Sequence, residues 1–442
     1  MEDFVLKRLI INKLIEWKNR KDRKSLVLKG VRQCGKTYIL NEFGKENYNE
    51  IAYFNFEGNP ALAERFEQDL DPVRIIMELG ILNGKPIKPK TTLVIFDEIQ
   101  FCNKALTSLK YFCERTPEYH IVCAGSLLEI TLSKPLSFPV GKVDFLTLRP
   151  MSFNEFLLAN NEEMLTSYLD KLNITSAIPQ MFAAKLITLL KTYFITGGMP
   201  EAVAKWIETK SVSEVERVQD AILNSYELDF AKHAPSMDFP KLLLIWESIP
   251  GQLAKENGKF IYGHVKEGAR AKEFEDAMQW LISAGMVYKV CKVEKPFIPL
   301  SAYAEQGYFK LYMSDIGLLR RMSRLPASSI YEDSLHYKEF KGALTENYVL
   351  CELVNPLGDV PFYWKSGNTA EVDFIVQLSE KIIPVEVKSS TNVKARSLSV
   401  YRQKYKPDIS IRVSMLNIHR DNDLLNIPLY MLWNLEGLIK VI

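Results

Sequence analysis

Hydrophobic residues recur in short β-rich runs, separated by helical periods, through residues 25–148. The five runs are SLVLK, IAYFNF, TTLVIF, YHIVCA and VDFLTL. Strands that alternate with helices are typical of a parallel sheet covered by helices on its faces. We therefore predict one α/β domain over residues 1–150.

The pattern then changes three times along the chain. Residues 151–236 hold the helical runs FNEFLLANNEEML and AAKLITLLKTYF, which predict a helical lid or connector. In residues 237–330 helices precede the strand pair MVYKVCKV and YFKLYMSD, an order that predicts a winged-helix-like domain. Residues 331–442 have the order helix, strand, turn, two strands, helix and a final strand near ISIRVS, which predicts a second α/β domain.

Composition excludes several classes of protein. With 47% hydrophobic and 25% charged residues, the chain has the composition of an ordinary globular protein. No apolar run reaches the roughly 18–20 residues of a membrane helix, and the N-terminus lacks a signal-peptide pattern. The six cysteines form no C-x-x-C pair, which argues against a zinc site and a disulfide framework. We therefore expect a cytoplasmic location and no membrane partner.

The stretch GVRQCGKT fits the pattern G-x-x-x-x-G-K-[ST], directly after SLVLK and before the helical YILNEF. In such a loop the glycines let backbone N–H groups surround phosphates, and the helix N-terminus adds a positive dipole end. Lys36 would neutralise the β- and γ-phosphates of ATP, and the Thr37 hydroxyl would ligate Mg²⁺. The predicted nucleotide-binding residues are Gly30, Val31, Arg32, Gln33, Cys34, Gly35, Lys36, Thr37 and Tyr38.

Two adjacent acids, Asp97 and Glu98, follow the apolar run LVIF. Asp97 would hold the Mg²⁺ through water, and Glu98 would polarise the attacking water as a general base. Ser126 follows the next predicted strand and could sense the γ-phosphate, although a serine in a plain turn is an equal alternative. Together with the phosphate loop, the two acids predict ATP hydrolysis with Lys36, Glu98 and Ser126 as catalytic candidates.

Several motifs in this order resemble bacterial and archaeal AAA-type ATPases, in which the ATPase module precedes a C-terminal domain of unknown function. The motifs are GVRQCGKT, LVIFDEIQ, CAGSLL, LTLRPMSFNEF, GGMPEAV, LYMSDIGLL, GALTENYVLCEL and AEVDFIV with VEVKSS. The resemblance implies an AAA-like P-loop sheet with a helical lid, ATP and Mg²⁺ as cofactors, and self-association into an oligomer. Where relatives often carry Gly-Arg, this chain has Gly141-Lys142, so an arginine finger is unassigned; Arg149 is a possible substitute.

The runs AEVDFIV and VEVKSS place Asp373 on one predicted strand and Glu386 with Lys388 on the next. Residues two apart on a strand share a face, so pairing of the two strands can bring Asp373 near Glu386. Two carboxylates could bind Mg²⁺ or Mn²⁺, and the lysine could position or activate a water. This resembles the D…E-x-K core of restriction-endonuclease-like nucleases. Glu346 matches the acid that those folds often add from a preceding helix, and Gln403 is a weaker match to a further polar residue.

The predicted fold class is therefore α/β, with a P-loop sheet, a helical lid, a winged-helix-like middle and a restriction-endonuclease-like C-terminal domain. Acid and lysine spacings of this kind also arise on amphipathic surface strands, and nuclease-like domains can bind nucleic acid without cutting it. Two functions stay open. One is ATP hydrolysis coupled to DNA binding or processing. The other is a nucleotide-dependent switch or remodeller that acts on a protein partner and keeps an inactive nuclease-like scaffold.

Overall fold

The computed structural model divides the chain into two compact units. The first comprises Met1–Arg149 with Ser283–Gly285, and the second comprises Pro150–Ile282 with Met286–Ile442. The residues that the structure describes are 6–125, 141–174, 176–255, 258–367, 370–390 and 396–440.

In its described part, the first unit contains a parallel sheet of five strands in the spatial order β2-β3-β4-β1-β5. The strands are β1 (Ser25–Lys29), β2 (Glu50–Asn55), β3 (Thr92–Asp97), β4 (His120–Ala124) and β5 (Val143–Thr147). Each strand matches one of the five β-rich runs to within one residue at either end, so the predicted parallel sheet is confirmed. Because the carboxyl ends of parallel strands meet at one edge, the loops after β1 and β3 lie on the same side of the sheet.

Helices and aromatic packing fix that edge. The helices described in the first unit are α1 (Ile10–Asn19), α2 (Lys36–Asn47), α3 (Pro60–Glu64), α4 (Pro72–Leu82) and α5 (Asn103–Arg115). All six residues of β3 are buried. The ring of Phe96 packs edge-to-face on Phe56 and Phe66, with centroids 5.6 and 5.9 Å apart. Such packing fixes the position of the last residues of β3, and therefore of the two acids that follow Phe96.

The second unit begins with a run of helices. They are α6 (Phe153–Ala159), α7 (Glu163–Asp170), α8 (Gln180–Thr196), α9 (Pro200–Thr209), α10 (Val212–His233), α11 (Phe239–Leu253), α12 (Tyr262–Val265) and α13 (Ala271–Ser283). The run FNEFLLANNEEML forms two helices, because Asn161 between them adopts a left-handed φ of 62°. The later helices are α14 (Ile316–Met322), α15 (Ala327–Tyr331), α16 (Lys338–Leu357), α17 (Arg396–Tyr405) and α18 (Leu435–Lys440). Of the helices described, none is both long and apolar enough to cross a bilayer.

A mixed sheet of eight described strands follows, in the order β12-β13-β11-β10-β9-β8-β6-β7. The strands are β6 (Val287–Val293), β7 (Ala304–Met313), β8 (Phe362–Ser366), β9 (Ala370–Leu378), β10 (Lys381–Val387), β11 (Ser410–Ser414), β12 (His419–Asp421) and β13 (Leu424–Pro428). The chain does not end its strands near ISIRVS as we expected. It adds β12 and β13, because the run LLNIP is buried and continues the sheet beside β11.

The strand pair predicted for a winged helix belongs to this same sheet. β6 pairs antiparallel with β7 and parallel with β8, through Lys292 opposite Tyr363 and Val293 opposite Trp364. The pair therefore joins the strands assigned to the nuclease-like region. The domain boundaries at residues 236 and 330, and the winged-helix and endonuclease-like classes, stay predictions.

Candidate functional site

The loop between β1 and α2 carries the predicted nucleotide-binding residues. Gly30 has a φ of 150°, and a Cβ at this position would lie 2.1 Å from the carbonyl oxygen of Leu148. Gly35 has a φ of 91° and directly precedes Lys36, the first residue of α2. Glycine meets both demands because it has no Cβ. The N–H groups in the first turn of α2 have no intrahelical acceptor, which suits this loop to phosphate.

The Lys36 side chain is buried in the loop that it follows. Its ammonium donates to the carbonyl oxygens of Gly30 and Val31, at 2.8 and 2.9 Å. Gln33 and Tyr38 are exposed, and Gln33 has a left-handed φ of 63°. The Lys36 ammonium therefore lies within the loop, close to the backbone that would surround an anionic ligand.

Thr37 and Asp97 meet across the sheet edge. The Thr37 hydroxyl donates to Oδ2 of Asp97 at 2.8 Å, although the two residues are 60 positions apart. The Tyr53 hydroxyl, from β2, donates to the same oxygen at 2.7 Å. Burial and this hydrogen bond raise the pKa of Tyr53 above its usual value, so it remains a donor. Both partners are hydroxyl groups, so neither brings a positive charge to the Asp97 carboxyl group.

Glu98 is held in an unusual backbone conformation beside Asp97. It has φ 49° and ψ 41°, a left-handed geometry that costs a non-glycine residue of order 1–3 kcal/mol. Its backbone N–H donates to Oδ1 of Asp97 at 3.0 Å. The side-chain amide of Gln100 donates to Oε2 of Glu98. The carboxylate of Glu98 is therefore oriented by a neighbour that the sequence patterns did not single out.

Arg8 hydrogen-bonds to the backbone of the phosphate loop, and no sequence pattern indicated this role. Its buried guanidinium donates to the carbonyl oxygens of Cys34 at 3.0 Å and Arg149 at 2.6 Å. The Cys34 thiol is fully buried, with Sγ 3.5 Å from the carbonyl oxygen of Leu148. Arg8 and Arg149 are 141 positions apart, so no local pattern could have indicated this contact.

Three other predicted positions receive no role here. Ser126 lies outside the described residues. The ammonium of Lys142 is 3.0 Å from Oε1 of Glu114, as an ordinary partly exposed ion pair. The backbone of Arg149 accepts the Arg8 contact, and nothing assigns its side chain to a neighbouring site. The arginine finger therefore stays unassigned.

In the second unit, β9 and β10 pair antiparallel through the loop at Leu378–Lys381, with Val385 opposite Phe374. The next positions along the two strands are Asp373 and Glu386, the pair expected to come together. Oδ2 of Asp373 accepts a hydrogen bond from the backbone N–H of Val387 at 2.7 Å. The Glu386 side chain is buried. The two carboxyl groups therefore face a common environment at this end of the hairpin.

Lysines contact most of these acids. Lys388 lies 2.6 Å from Oε1 of Glu386. Lys310, from β7, lies 2.8 Å from Oε1 of Glu346 on α16 and 2.8 Å from Oε1 of Glu371 on β9. Neither Lys310 nor Glu371 was singled out in the sequence, because neither belongs to the D…E-x-K pattern. Gln403 is exposed on α17.

The protonation equilibria follow from burial and charge. Burial, with the charges of Glu386 and Glu346, raises the pKa of Asp373 well above its usual value. Burial also raises the pKa of Glu386, against the opposing effect of the Lys388 ammonium. Burial tends to lower the pKa of Lys388, but Glu386 reverses this and leaves it raised. Lys388 is therefore a cation near neutral pH, which suits it to binding a water or an anion rather than to removing a proton.

The two sites differ in how well they suit a metal ion. At the P-loop, a hydroxyl and a buried carboxylate oxygen 2.8 Å apart form the donor set that Mg²⁺ prefers. At the hairpin, one oxygen of each of Asp373, Glu386 and Glu346 already accepts a hydrogen bond, from a backbone N–H, Lys388 and Lys310 respectively. Within the described ranges, no group of three or more His, Cys, Asp or Glu is arranged to hold a metal ion. The second site therefore does not fit a metal in this structure.

Comparison with known families gives a class for the first unit. Residues 22–157 match the family described as AAA domain. Residues 187–329 and 341–431 match two families that are each described as a domain of unknown function, DUF8612 and DUF4143. No curated protein matches the sequence.

Three solved structures show a distant similarity to the chain. The Walker-type ATPase PABY2304 of Pyrococcus abyssi is 12% identical, with 73% of this chain and 97% of that chain covered and a TM-score of 0.46. The RuvB Holliday junction branch migration motor of Thermotoga maritima is 15% identical, with 64% and 90% covered and a TM-score of 0.29. Cdc6p from Pyrobaculum aerophilum is 13% identical, with 75% and 97% covered and a TM-score of 0.26. Likenesses of this extent carry no argument about function.

The family match and the geometry of the loop after β1 agree with the predicted AAA-type P-loop domain over residues 22–157. The remainder corresponds to two domains of unknown function. Its endonuclease-like class and any activity there stay predictions.

Proposed function

We propose that this protein binds ATP with Mg²⁺ at the P-loop and hydrolyses it. The contact between Thr37 and Asp97 carries the proposal, because it joins the phosphate loop to the end of β3 where a phosphate-bound cation would lie. Lys36 and the N-terminus of α2 bind the phosphates. Thr37 and Asp97 hold Mg²⁺, which neutralises the charge on the phosphate oxygens.

Glu98 is the group that we assign to the attacking water. Its carboxylate is oriented by the Gln100 amide and follows directly on Asp97, so it lies at the edge where the phosphates bind. In this role it accepts the water's hydrogen bond and takes up its proton as the phosphate is attacked. A carboxylate at this position must be ionised, and it must be fixed relative to the phosphate to act efficiently.

Steady-state ATP hydrolysis and equilibrium nucleotide binding test these roles separately. Glu98→Gln should retain ATP binding and lose at least about a hundredfold in kcat, the usual scale for a general base. Lys36→Ala should lose binding and hydrolysis together. Lys45→Ala, on the exposed side of α2, is the matched control and should behave as wild type. Hydrolysis at the wild-type rate by Glu98→Gln would show that another group activates the water.

For the second unit we propose contact with nucleic acid, coupled to the state of the ATPase. What supports this is the order of Glu346 on a helix, Asp373 on a strand and Glu386 with Lys388 on the next strand. The pKa values of Asp373 and Glu386 are both raised, which adds to this support. Buried titratable groups of shifted pKa concentrate at functional sites. We derive no cleavage step, because the site formed by Glu346, Asp373 and Glu386 does not fit a metal in this structure.

A specific observation favours the other candidate, a nucleotide-dependent switch that acts on a protein partner. Lysine ammonium groups already neutralise acids of the cluster, as in a scaffold without catalytic function. The ATPase rate with DNA or RNA at low salt separates the two functions. Stimulation that Lys388→Ala removes supports nucleic-acid contact. An unchanged rate, with no binding to either nucleic acid, favours the protein partner.

Self-association belongs to the same proposal. An ATPase site that takes an arginine from a neighbouring copy would need assembly, and this chain has Lys142 where relatives often carry that arginine. The specific ATPase rate, measured over a range of protein concentrations, should rise as the protein assembles. A rate independent of concentration, with a monomer in light scattering, would contradict assembly.

A further inference from the structure

Lys310 is a buried cation surrounded by acids that come from other elements. Its side chain is only 3% exposed, and its ammonium lies 2.8 Å from a carboxylate oxygen of each of Glu346 and Glu371. The Tyr312 hydroxyl donates to the same oxygen of Glu346 at 2.9 Å. The Lys310 ammonium lies over the ring of Tyr363, 5.4 Å from the centroid of the ring. Lysine is rarely buried in this way unless it is paired with acids.

The charges around Lys310 nearly balance. The acids of the cluster are Glu346, Glu371, Asp373 and Glu386. The lysines that contact them are Lys310, Lys365 and Lys388. Removal of Lys310 would leave Glu346 and Glu371 without the buried cation that contacts both of them.

A second feature shows that the cluster has capacity for a further ligand. Glu386 is 4% exposed, and its Oε2 atom has no hydrogen-bond partner among the described residues. The charges of Lys310 and Glu346 act on this carboxyl group, so it belongs to the same cluster. A buried carboxylate oxygen without a donor is costly, and a cation or a bound water relieves that cost.

We propose that the Lys310 ammonium takes the place of a divalent cation in this cluster, and that removal of the ammonium opens a cation site between Glu346 and Glu371. The wild-type protein therefore excludes Mg²⁺ and Mn²⁺ from this position. The first ligands of the opened site are the two oxygens that Lys310 now contacts. Glu371 distinguishes this site from one built on the D…E-x-K pattern, which would use Asp373 and Glu386. The proposal does not rest on ATP hydrolysis or on nucleic-acid contact.

The test is Mn²⁺ binding to the full chain without nucleotide, measured by titration calorimetry. Every protein also carries Asp97→Ala, which removes the predicted metal ligand of the P-loop. Lys310→Met should bind one Mn²⁺ at least about tenfold more tightly than the protein with Lys310 intact, since a competing cation is gone. Adding Glu371→Gln should abolish the gain. Lys310→Arg keeps the charge and should show no gain.

A matched control is Lys365→Met. Lys365 contacts the other oxygen of Glu371 at 3.2 Å but is 24% exposed, so its loss should not open a cation site. Equal Mn²⁺ affinity in Lys310→Met and the protein with Lys310 intact would overturn the proposal. So would tight Mn²⁺ binding with Lys310 present that depends on Glu386, because the cluster would then hold a metal beside the lysine.

A folding measurement keeps the test decisive if Lys310→Met is unstable. In this variant Glu346 and Glu371 lack the positive charge of Lys310. With a chelator present to remove divalent cations, the variant should therefore unfold more readily than wild type. Mn²⁺ should restore its stability, because a ligand that binds only the folded state stabilises it by mass action. A variant that stays equally unfolded with and without Mn²⁺ would overturn the proposal.

Discussion

Glu352 offers a direct test of burial as a source of pH-dependent stability. It lies on α16, is 1% exposed, and accepts a hydrogen bond from the backbone N–H of Phe153 at 2.8 Å. Its other carboxyl oxygen has no partner among the described residues. Burial raises the pKa of Glu352 from 4.5 to about 8, although the Phe153 N–H opposes the rise. Glu352→Gln replaces the acid with a neutral group of the same shape.

The sign of the effect follows from the raised pKa. Below about pH 4.5 the group is protonated in both states, and it contributes its full stabilisation. As the pH rises toward 8, the unfolded chain releases the proton while the folded chain keeps it, so this contribution is lost. The rise from 4.5 to about 8 corresponds to about 5 kcal/mol as an upper limit, because each pKa unit is about 1.4 kcal/mol.

Urea unfolding of the full chain at several pH values measures this contribution. The free energy of unfolding of Glu352→Gln, relative to wild type, should increase by a few kcal/mol between about pH 5 and about pH 8.5. Glu208→Gln, on the exposed side of α9, is the control and should follow wild type at every pH. Parallel pH profiles for Glu352→Gln and wild type would refute the reasoning, since they would mean that Glu352 is ionised at neutral pH in the folded state.

Two substitutions test the geometry around the P-loop. Tyr53→Phe removes the donor that orients Asp97, so the Mg²⁺ concentration for half-maximal ATPase activity should rise by about tenfold; an unchanged Mg²⁺ titration would contradict this. Gly30→Ala places a methyl group 2.1 Å from the carbonyl oxygen of Leu148 and should cost at least about 2 kcal/mol in thermal unfolding. Gly141→Ala, with a φ of 72° but no atom within 4 Å, should cost only about 1 kcal/mol. Similar losses in both glycine variants would show that backbone strain, not the close contact, sets the cost.

The sequence predicts the first sheet well because its determinants are local. Each strand is an apolar run of five or six residues, and the phosphate loop is defined within eight positions of the chain. The position of Asp97 follows from the rule that parallel strands share a carboxyl edge. The pairing of β9 with β10 is equally local, since a short loop joins the two strands.

The contacts that the sequence does not reveal are the long-range ones. Arg8 reaches Arg149 across 141 positions, and Lys310 on β7 reaches Glu371 on β9 although two strands, β6 and β8, lie between them in the sheet order. In the sequence, Lys310 is a charged residue within the apolar second half of β7, and nothing nearby identifies its partners. The sequence also does not reveal that β6 and β7 belong to the second sheet. Their membership depends on the pairing of β6 with β8, about 70 positions later in the chain.

The chemical type of the donors next to an acid decides what that acid can bind. At the P-loop, Asp97 accepts from hydroxyl groups, which orient the carboxylate and leave its charge uncompensated. At the second cluster, Glu346 and Glu386 accept from ammonium groups, which both orient and neutralise them. A divalent cation is attracted most strongly to a carboxylate whose charge is uncompensated. At the second cluster, the cation must first displace an ammonium group. The same residue types therefore suit the proposed metal site in one unit and form a charge-balanced cluster in the other, and Lys310 is the residue whose removal should reverse the second outcome.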